Sequence, residues 1–320
     1  MKRSKGVLPY AVVRLGSRCN AKCLFCNVPA ESYDLPKAVS AEEIKTEIAN
    51  LVNKQKNLKI SISGGEPTIN KDLPEIIKFA KDNGIQTVEI QTNAILLRDK
   101  NFVKTLKKAG LDKAFVAFHS YVPEIHDYLV GRKGAYADCL AGIKNLVAEK
   151  IKVDLNPVVT SRSYKELPGY IRFVKKEMPE VKRVSLSVIQ PRGRAWNNRN
   201  LVPRYGLISP YVKKTLELGK QMGIEIFNPY CGLPFCMGNW WKYLNNCAEF
   251  TEKHLGCNQL NFVKTNVCPP DYKIKACQCL VCDLERFCNG VWKEYAEIHS
   301  LSDLKPIAMP AISKRLKKEK

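Results

Sequence analysis

The stretch "RLGSRCNAKCLFCNVPA", Arg14 to Ala30, carries Cys19, Cys23 and Cys26, with three and then two residues between them. It continues the β-branched run "PYAVVRLG", so the three thiols belong to a loop at the end of a strand. Ligands so close in sequence converge within a few ångströms, as a loop wrapped around a compact metal centre must. A four-iron cluster normally takes four thiolates, and three leave one iron open to an exogenous ligand. Catalytic zinc follows the same logic of an open position. Structural zinc is the competing reading, but the nearest further cysteine, Cys139, lies far along the chain in a helical pattern.

Outward from that loop the chain alternates short β-rich runs with amphipathic ones. The strands are expected in "PYAVVRLG", "LKISISGG", "TVEIQTN", "KAFVAFHS", "KVDLNPVVT" and "RVSLSVIQP". The intervening segments have helical periodicity. "SAEEIKTEIANLVNKQ" opens with Ser40 and Glu43 at capping-box spacing and puts Ile44, Ile48 and Leu51 on one face. Consecutive β/α units make an α/β fold, a parallel sheet covered by helices. A doubly wound open sheet and a barrel of fewer than eight units both remain open. Either places its site on the loops at the C-terminal strand ends. The cysteine loop follows strand one and "SGGEPT" strand two; Asn93 ends strand three, His119 and Ser120 strand four, and Gln190 and Arg192 strand six. All the chemically suggestive residues therefore share one edge.

The whole composition is that of a soluble globular chain: 320 residues, 45% apolar and 26% charged. No apolar run approaches the roughly 18 residues needed to cross a bilayer. The N-terminal "MKRSKG" leads to no cleavage site of the secretory kind, so the expected location is the cytoplasm, with no membrane partner. Thirteen cysteines, an odd number without an export signal, point to metal rather than disulfides. The net charge of +21 favours anionic partners. No basic stretch is interleaved with aromatics as a nucleic-acid stacking surface requires, so nucleic acid is not expected as a partner.

In "SISGGEPT", Gly64 and Gly65 let the backbone pass close to a ligand, and Glu66 and Pro67 set the exit into the next helix. Backbone carbonyls there are placed to accept hydrogen bonds from a cationic amino group. Combined with Cys-x3-Cys-x2-Cys after the preceding strand, this segment resembles the radical S-adenosylmethionine (SAM) enzymes over roughly residues 10 to 200. The resemblance implies a partial (β/α)6 TIM-type barrel and a [4Fe-4S] cluster held by Cys19, Cys23 and Cys26. Its fourth iron would chelate the amino and carboxylate groups of SAM. Gly64, Gly65, Glu66 and Pro67 match the family's amino-group-binding motif, and Asn93 a position that lines the SAM pocket or caps the strand. An electron from the cluster would cleave SAM to a 5′-deoxyadenosyl radical, which abstracts hydrogen from substrate. An electron donor such as flavodoxin or ferredoxin is implied with it. His119, Glu124, His126 and Asp127 in "FHSYVPEIHDYLVG" are either acid/base candidates or groups that cap and order the loop.

Nine of the thirteen cysteines lie between Cys231 and Cys288. The composition divides the chain into a barrel (1–225), a cysteine-rich domain (226–300) and a basic tail (301–320). Cys279-x2-Cys282-x5-Cys288, with Cys236 as fourth ligand, resembles the SPASM/twitch auxiliary-cluster extension of many radical SAM enzymes. Trp292 stands where the full SPASM motif has a further cysteine, and no cysteine follows Cys288, which implies one auxiliary iron–sulfur cluster rather than two. Cys231, Cys247, Cys257, Cys268 and Cys277 are spare candidates, and structural zinc is the alternative occupant. Family members with this extension act mostly on peptides or proteins. The substrate expected is a peptide or protein side chain, with a small-molecule or cofactor-biosynthetic step, as in molybdopterin- or haem-related relatives, as the runner-up and tRNA third. A zinc-binding regulatory or nucleic-acid-binding protein is the reading from another class.

Overall fold

A computed structural model describes residues 10–27, 38–255 and 272–308. Seven strands form one parallel sheet, in chain order: Tyr10–Arg14, Lys59–Ser63, Thr87–Thr92, Lys113–Val116, Lys152–Leu155, Arg183–Ser185 and Glu225–Phe227. The order never reverses, so the switch point of a doubly wound sheet is absent and each crossover turns the same way round. The first and last strands close nothing between them, which makes the barrel partial.

Why the helices cover one face follows from the sequence pattern. The helix Ala41–Lys54 buries Ile44, Ile48 and Leu51 against the sheet. Its capping box forms as expected, Glu43 N–H donating to Ser40 Oγ at 3.2 Å and Ser40 N–H to Glu43 Oε2 at 3.0 Å. Ile60 and Ile62 of the second strand are fully buried. Alternation then sends Lys59, Ser61 and Ser63 to the inner face. There polar groups satisfy one another: Ser61 Oγ donates to Glu89 Oε1 at 2.9 Å, and Ser63 Oγ to Gln91 Oε1 at 3.0 Å. Across the lower ends of the strands runs a chain of ion pairs, Lys59–Glu89–Lys113–Asp154–Arg183–Glu225. Despite burial, Lys59 and Lys113 hold the Glu89 carboxyl below the usual range.

Two features differ from the expectation. The sheet has a seventh strand, and Ile226, where a domain boundary was expected, lies in it opposite Val184. Of its three residues only Ile226 is buried, so no β-rich run marks the strand in sequence. Residues 301–308, expected to begin a tail, pack down instead. Leu304 and Ile307 are buried, and Asp283 N–H donates to the Ile307 carbonyl at 3.0 Å. No helix among the described residues is long and apolar enough to cross a membrane.

Candidate active site

The cysteine loop leaves the first strand still paired to the second, with Leu15 N–H on the Ser63 carbonyl at 2.9 Å. "GGEP" then lies against it backbone to backbone: Gly65 N–H donates to the Gly16 carbonyl at 2.9 Å and Glu66 N–H to the Arg18 carbonyl at 2.8 Å. This close approach is what requires the two glycines. A Cβ at Gly65 would stand 2.0 Å from the Arg18 carbonyl oxygen. At Gly64, with φ +140°, it would stand 2.5 Å from that of Gly16. From the other side, Lys22 and Leu24 N–H groups donate to the Val130 and Leu129 carbonyls at 3.1 and 3.0 Å. Arg194 N–H reaches the Cys26 carbonyl at 2.9 Å from the loop after the sixth strand. Three neighbouring segments thus hold the loop that carries the thiols.

Cys19 is exposed, and Cys23 and Cys26 are half-buried. Burial, and then the nearness of Cys26 and Cys19, push the Cys23 thiol up to about 12, while the Arg194 charge draws it back. Cys19 is pushed up to about 11, again chiefly by burial. Cys26 and Cys19 thus bear on Cys23 through their charge, and a cationic centre beside them would favour the thiolates.

Glu66 is buried and accepts four hydrogen bonds. Thr68 N–H and Oγ1 donate at 3.1 and 2.6 Å, Thr92 Oγ1 at 2.7 Å and Asn93 N–H at 2.7 Å. Burial pushes its carboxyl up, and these four donors oppose that. It ties the end of strand two to the end of strand three. Asn93 caps its strand and also reaches the cysteine loop. Its Oδ1 accepts from Ile95 N–H at 3.0 Å as a strand-end turn, and its Nδ2 donates to Asn20 Oδ1 at 2.7 Å in the cysteine loop. Asn20 Nδ2, beside Cys19, is buried without a partner among the described residues. Three thiols on one short loop and a buried donor among backbone carbonyls suit a cofactor with anionic and cationic groups.

The polar group above strand four divides. Asp127 orders its loop, accepting from Gly134 and Tyr136 N–H at 2.6 and 2.7 Å. Glu124 points to solvent. His119 and His126 are buried together; His119 N–H donates to His126 Nδ1 at 3.2 Å, and Val158 N–H to His119 Nδ1 at 3.3 Å. Burial lowers His126 to about 4 and His119 well below its ordinary value. Phe25 meets His119 edge-on at 4.8 Å between ring centres. Phe25 and Arg194 escaped the sequence reading. The clues were an aromatic between Cys23 and Cys26 and a basic residue just past strand six.

At the other end of the chain Cys236, Cys279, Cys282 and Cys288 line one cavity of about 30 Å³. Phe235, Leu284 and Ile307 wall it. Ile307 N–H donates to Cys282 Sγ at 3.3 Å. Burial pushes Cys236 up to about 12 and Cys288 up to about 11. Among the described residues no three His, Cys, Asp or Glu side chains are close enough to enclose a single metal ion. The spare cysteines are elsewhere: Cys231 donates to Ser187 Oγ at 3.2 Å, Cys247 is buried in the core and Cys277 is exposed. Cys257 and Cys268 lie outside the described residues.

The sequence model of the Radical SAM superfamily matches residues 13–174, just over half the chain and inclusive of both motifs. The chain belongs to the radical SAM superfamily. It is therefore an enzyme of a family that works with a [4Fe-4S] cluster and SAM. Among its relatives, this radical SAM enzyme is 34% identical to the Fe-coproporphyrin III synthase of Methanosarcina barkeri over 174 residues, 54% of this chain and 43% of that one. It is 32% identical to the GTP 3′,8-cyclase of Aquifex aeolicus over 184 residues, 52% of this chain and 57% of that one. The matches thus span less than two thirds of either relative. In fold, it resembles anSMEcpe with bound AdoMet and a Cp18Cys peptide, with a TM-score of 0.63 at 14% identity over 97% of this chain and 95% of that one.

Proposed function

We propose that this radical SAM enzyme abstracts hydrogen from a peptide or protein side chain. Cys19, Cys23 and Cys26 hold its [4Fe-4S] cluster, and Gly64 to Pro67 receive the amino group of SAM, with Asn93 beside it. The observation that carries the reading is the contact of the two motifs through Gly65 N–H on Gly16 and Glu66 N–H on Arg18. When bound, the cluster and SAM together supply a 5′-deoxyadenosyl radical. The chain's part is to place the thiols, to offer the Asn20 amide and to keep the site rigid through Glu66.

Cys236, Cys279, Cys282 and Cys288 hold an auxiliary iron–sulfur cluster in the second pocket. Four thiols around one apolar cavity suit ligands that each bind a different iron. Structural zinc would draw all four sulfurs to one centre at about 2.3 Å. The peptide reading is supported by fold similarity along the whole chain to a peptide-bound protein. A small-molecule substrate is the second reading, favoured by the sequence similarity of the barrel to the synthase and cyclase named above. A one-electron carrier of the flavodoxin or ferredoxin kind supplies the electron.

The test is anaerobic reconstitution, reduction with dithionite, an iron and sulfide count, and an assay of 5′-deoxyadenosine from SAM. About eight irons per chain and nucleoside formation are expected. About four irons with zinc present would hand the second pocket to zinc. Stimulation by a nucleotide or a tetrapyrrole, but not by cysteine- or serine-containing peptides, would replace the peptide reading with the small-molecule one.

A further inference from the structure

The lower end of the barrel, opposite the cysteine loop, opens into a basin of about 540 Å³. The turns leading into strands four to seven ring it, and every residue lining it is polar or charged. Its three carboxylates are already matched. Asp112 takes Lys81 Nζ at 3.0 Å, Asp154 takes Lys113 Nζ at 2.5 Å, and Glu225 takes Arg183 Nε at 3.6 Å. Four lysines of the rim are not. Lys107, Lys150 and Lys152 have no carboxylate partner among the described residues, and Lys182 Nζ donates to the Pro179 carbonyl at 2.6 Å.

Four lysines, one from the helix Lys100–Ala109 and three from the turns into strands five and six, thus line one concavity whose carboxylates are engaged by other cations. A concave surface concentrates their field, and the ordinary function of lysine as a solvated surface group does not require such convergence. The volume falls in the usual range for small-ligand sites, roughly 300–1,000 Å³. The geometry points to a binding site for a compact polyanion carrying two or more linked phosphate groups. Lysines grip phosphate oxygens as point charges from several directions. Arg183, the one planar fork in the basin, is engaged by Asp154 and Glu225, so bidentate recognition of a carboxylate is not on offer. With no apolar wall, the basin recognises the phosphate chain, and a nucleoside attached to it projects into solvent.

The experiment is calorimetric titration of the full-length, reconstituted protein with inorganic tripolyphosphate, orthophosphate and ATP in turn. Tripolyphosphate is expected to bind at least roughly tenfold more tightly than orthophosphate, with ATP within a few-fold of it. Its affinity should fall steeply with added salt, as screening shortens to about 10 Å at 0.1 M. The double variant Lys150→Ala/Lys152→Ala should lose roughly tenfold or more in tripolyphosphate affinity, at unchanged iron content. Lys213→Ala/Lys214→Ala removes the same charge from an exposed helix outside the basin and should lose less than threefold. Equal losses in the two double variants would reduce the effect to net charge and overturn the site. So would absence of binding, or ATP binding more than tenfold tighter than tripolyphosphate, since that requires a wall for the base.

Discussion

The loop of Cys19, Cys23 and Cys26 takes its shape from backbone, whereas the pocket of Cys236, Cys279, Cys282 and Cys288 takes its shape from side chains. Around the first, main-chain N–H groups of residues 22, 24, 65, 66 and 194 donate to main-chain carbonyls of the facing segment. Around the second, Phe235, Leu284 and Ile307 pack into a small cavity, and its cysteines come from segments more than forty residues apart. One region is therefore sensitive to an added atom and the other to a removed one. The difference also explains why the first motif is compact in sequence and the second is dispersed.

The largest expected effect comes from emptying the first region alone. Cys19→Ala/Cys23→Ala/Cys26→Ala should abolish 5′-deoxyadenosine formation while leaving about four irons per chain in the second pocket. A triple variant that still cleaved SAM with its full iron would sink the ligand assignment. Next is the reciprocal pair of single substitutions. Gly65→Ala puts a methyl group 2.0 Å from the Arg18 carbonyl oxygen, and the cysteine loop must shift to admit it. A shift of about 1 Å in positioning groups costs roughly a hundredfold in rate, so nucleoside formation should fall by about that much. Leu284→Ala, at a fully buried wall of the second pocket, should cost about 2–4 kcal/mol of stability in urea unfolding. SAM cleavage in Leu284→Ala should stay within a few-fold of the parent, and a collapse there instead would mean that the two regions are not independent.

The same contrast governs what the sequence disclosed. Local rules reached the first six strands, the Ser40–Glu43 cap and the placement of the barrel's candidate residues on one sheet edge, because each rests on neighbours within a turn or a strand. They did not reach the function of Glu66 as a tie between strand ends. Its partners Thr92 and Asn93 lie 26 and 27 residues away. They likewise missed that the two glycines answer to the Gly16 and Arg18 carbonyls, a contact that only the parallel pairing of strands one and two creates. The strand Glu225–Phe227 was illegible because its place is set by the edge left open beside Arg183–Ser185 rather than by its own three residues. Ile307 follows the same rule: nothing near it in sequence marks it as a wall for cysteines 19 or more residues away.

Acid offers the mildest way to separate the two regions, through the histidine pair packed beneath the first. His126 Nδ1 accepts from His119 N–H, and His119 Nδ1 from Val158 N–H, so both rings are needed neutral at those nitrogens. Burial holds His126 at about 4 in the folded protein, against an ordinary value near 6.5. Between those two values the unfolded chain binds a proton that the folded one refuses. Stability due to His126 is therefore complete above about pH 6.5 and is lost as pH falls toward 4, by on the order of 2–3 kcal/mol across the window. His119, lowered further by burial and by His126, adds to the loss in the same direction. In urea unfolding between pH 7 and 4.5, His126→Gln should flatten the dependence, because the glutamine oxygen still accepts from His119 N–H but takes up no proton. An unchanged slope in that variant would place the acid sensitivity outside the histidine pair. Phe25 stands edge-on to His119 between Cys23 and Cys26, so over the same pH window in which stability falls the thiols of the first region should become accessible to a dipyridyl disulfide, which reacts with thiols in acid where alkylating reagents do not. Those of the second pocket, with no histidine among its lining residues, should not.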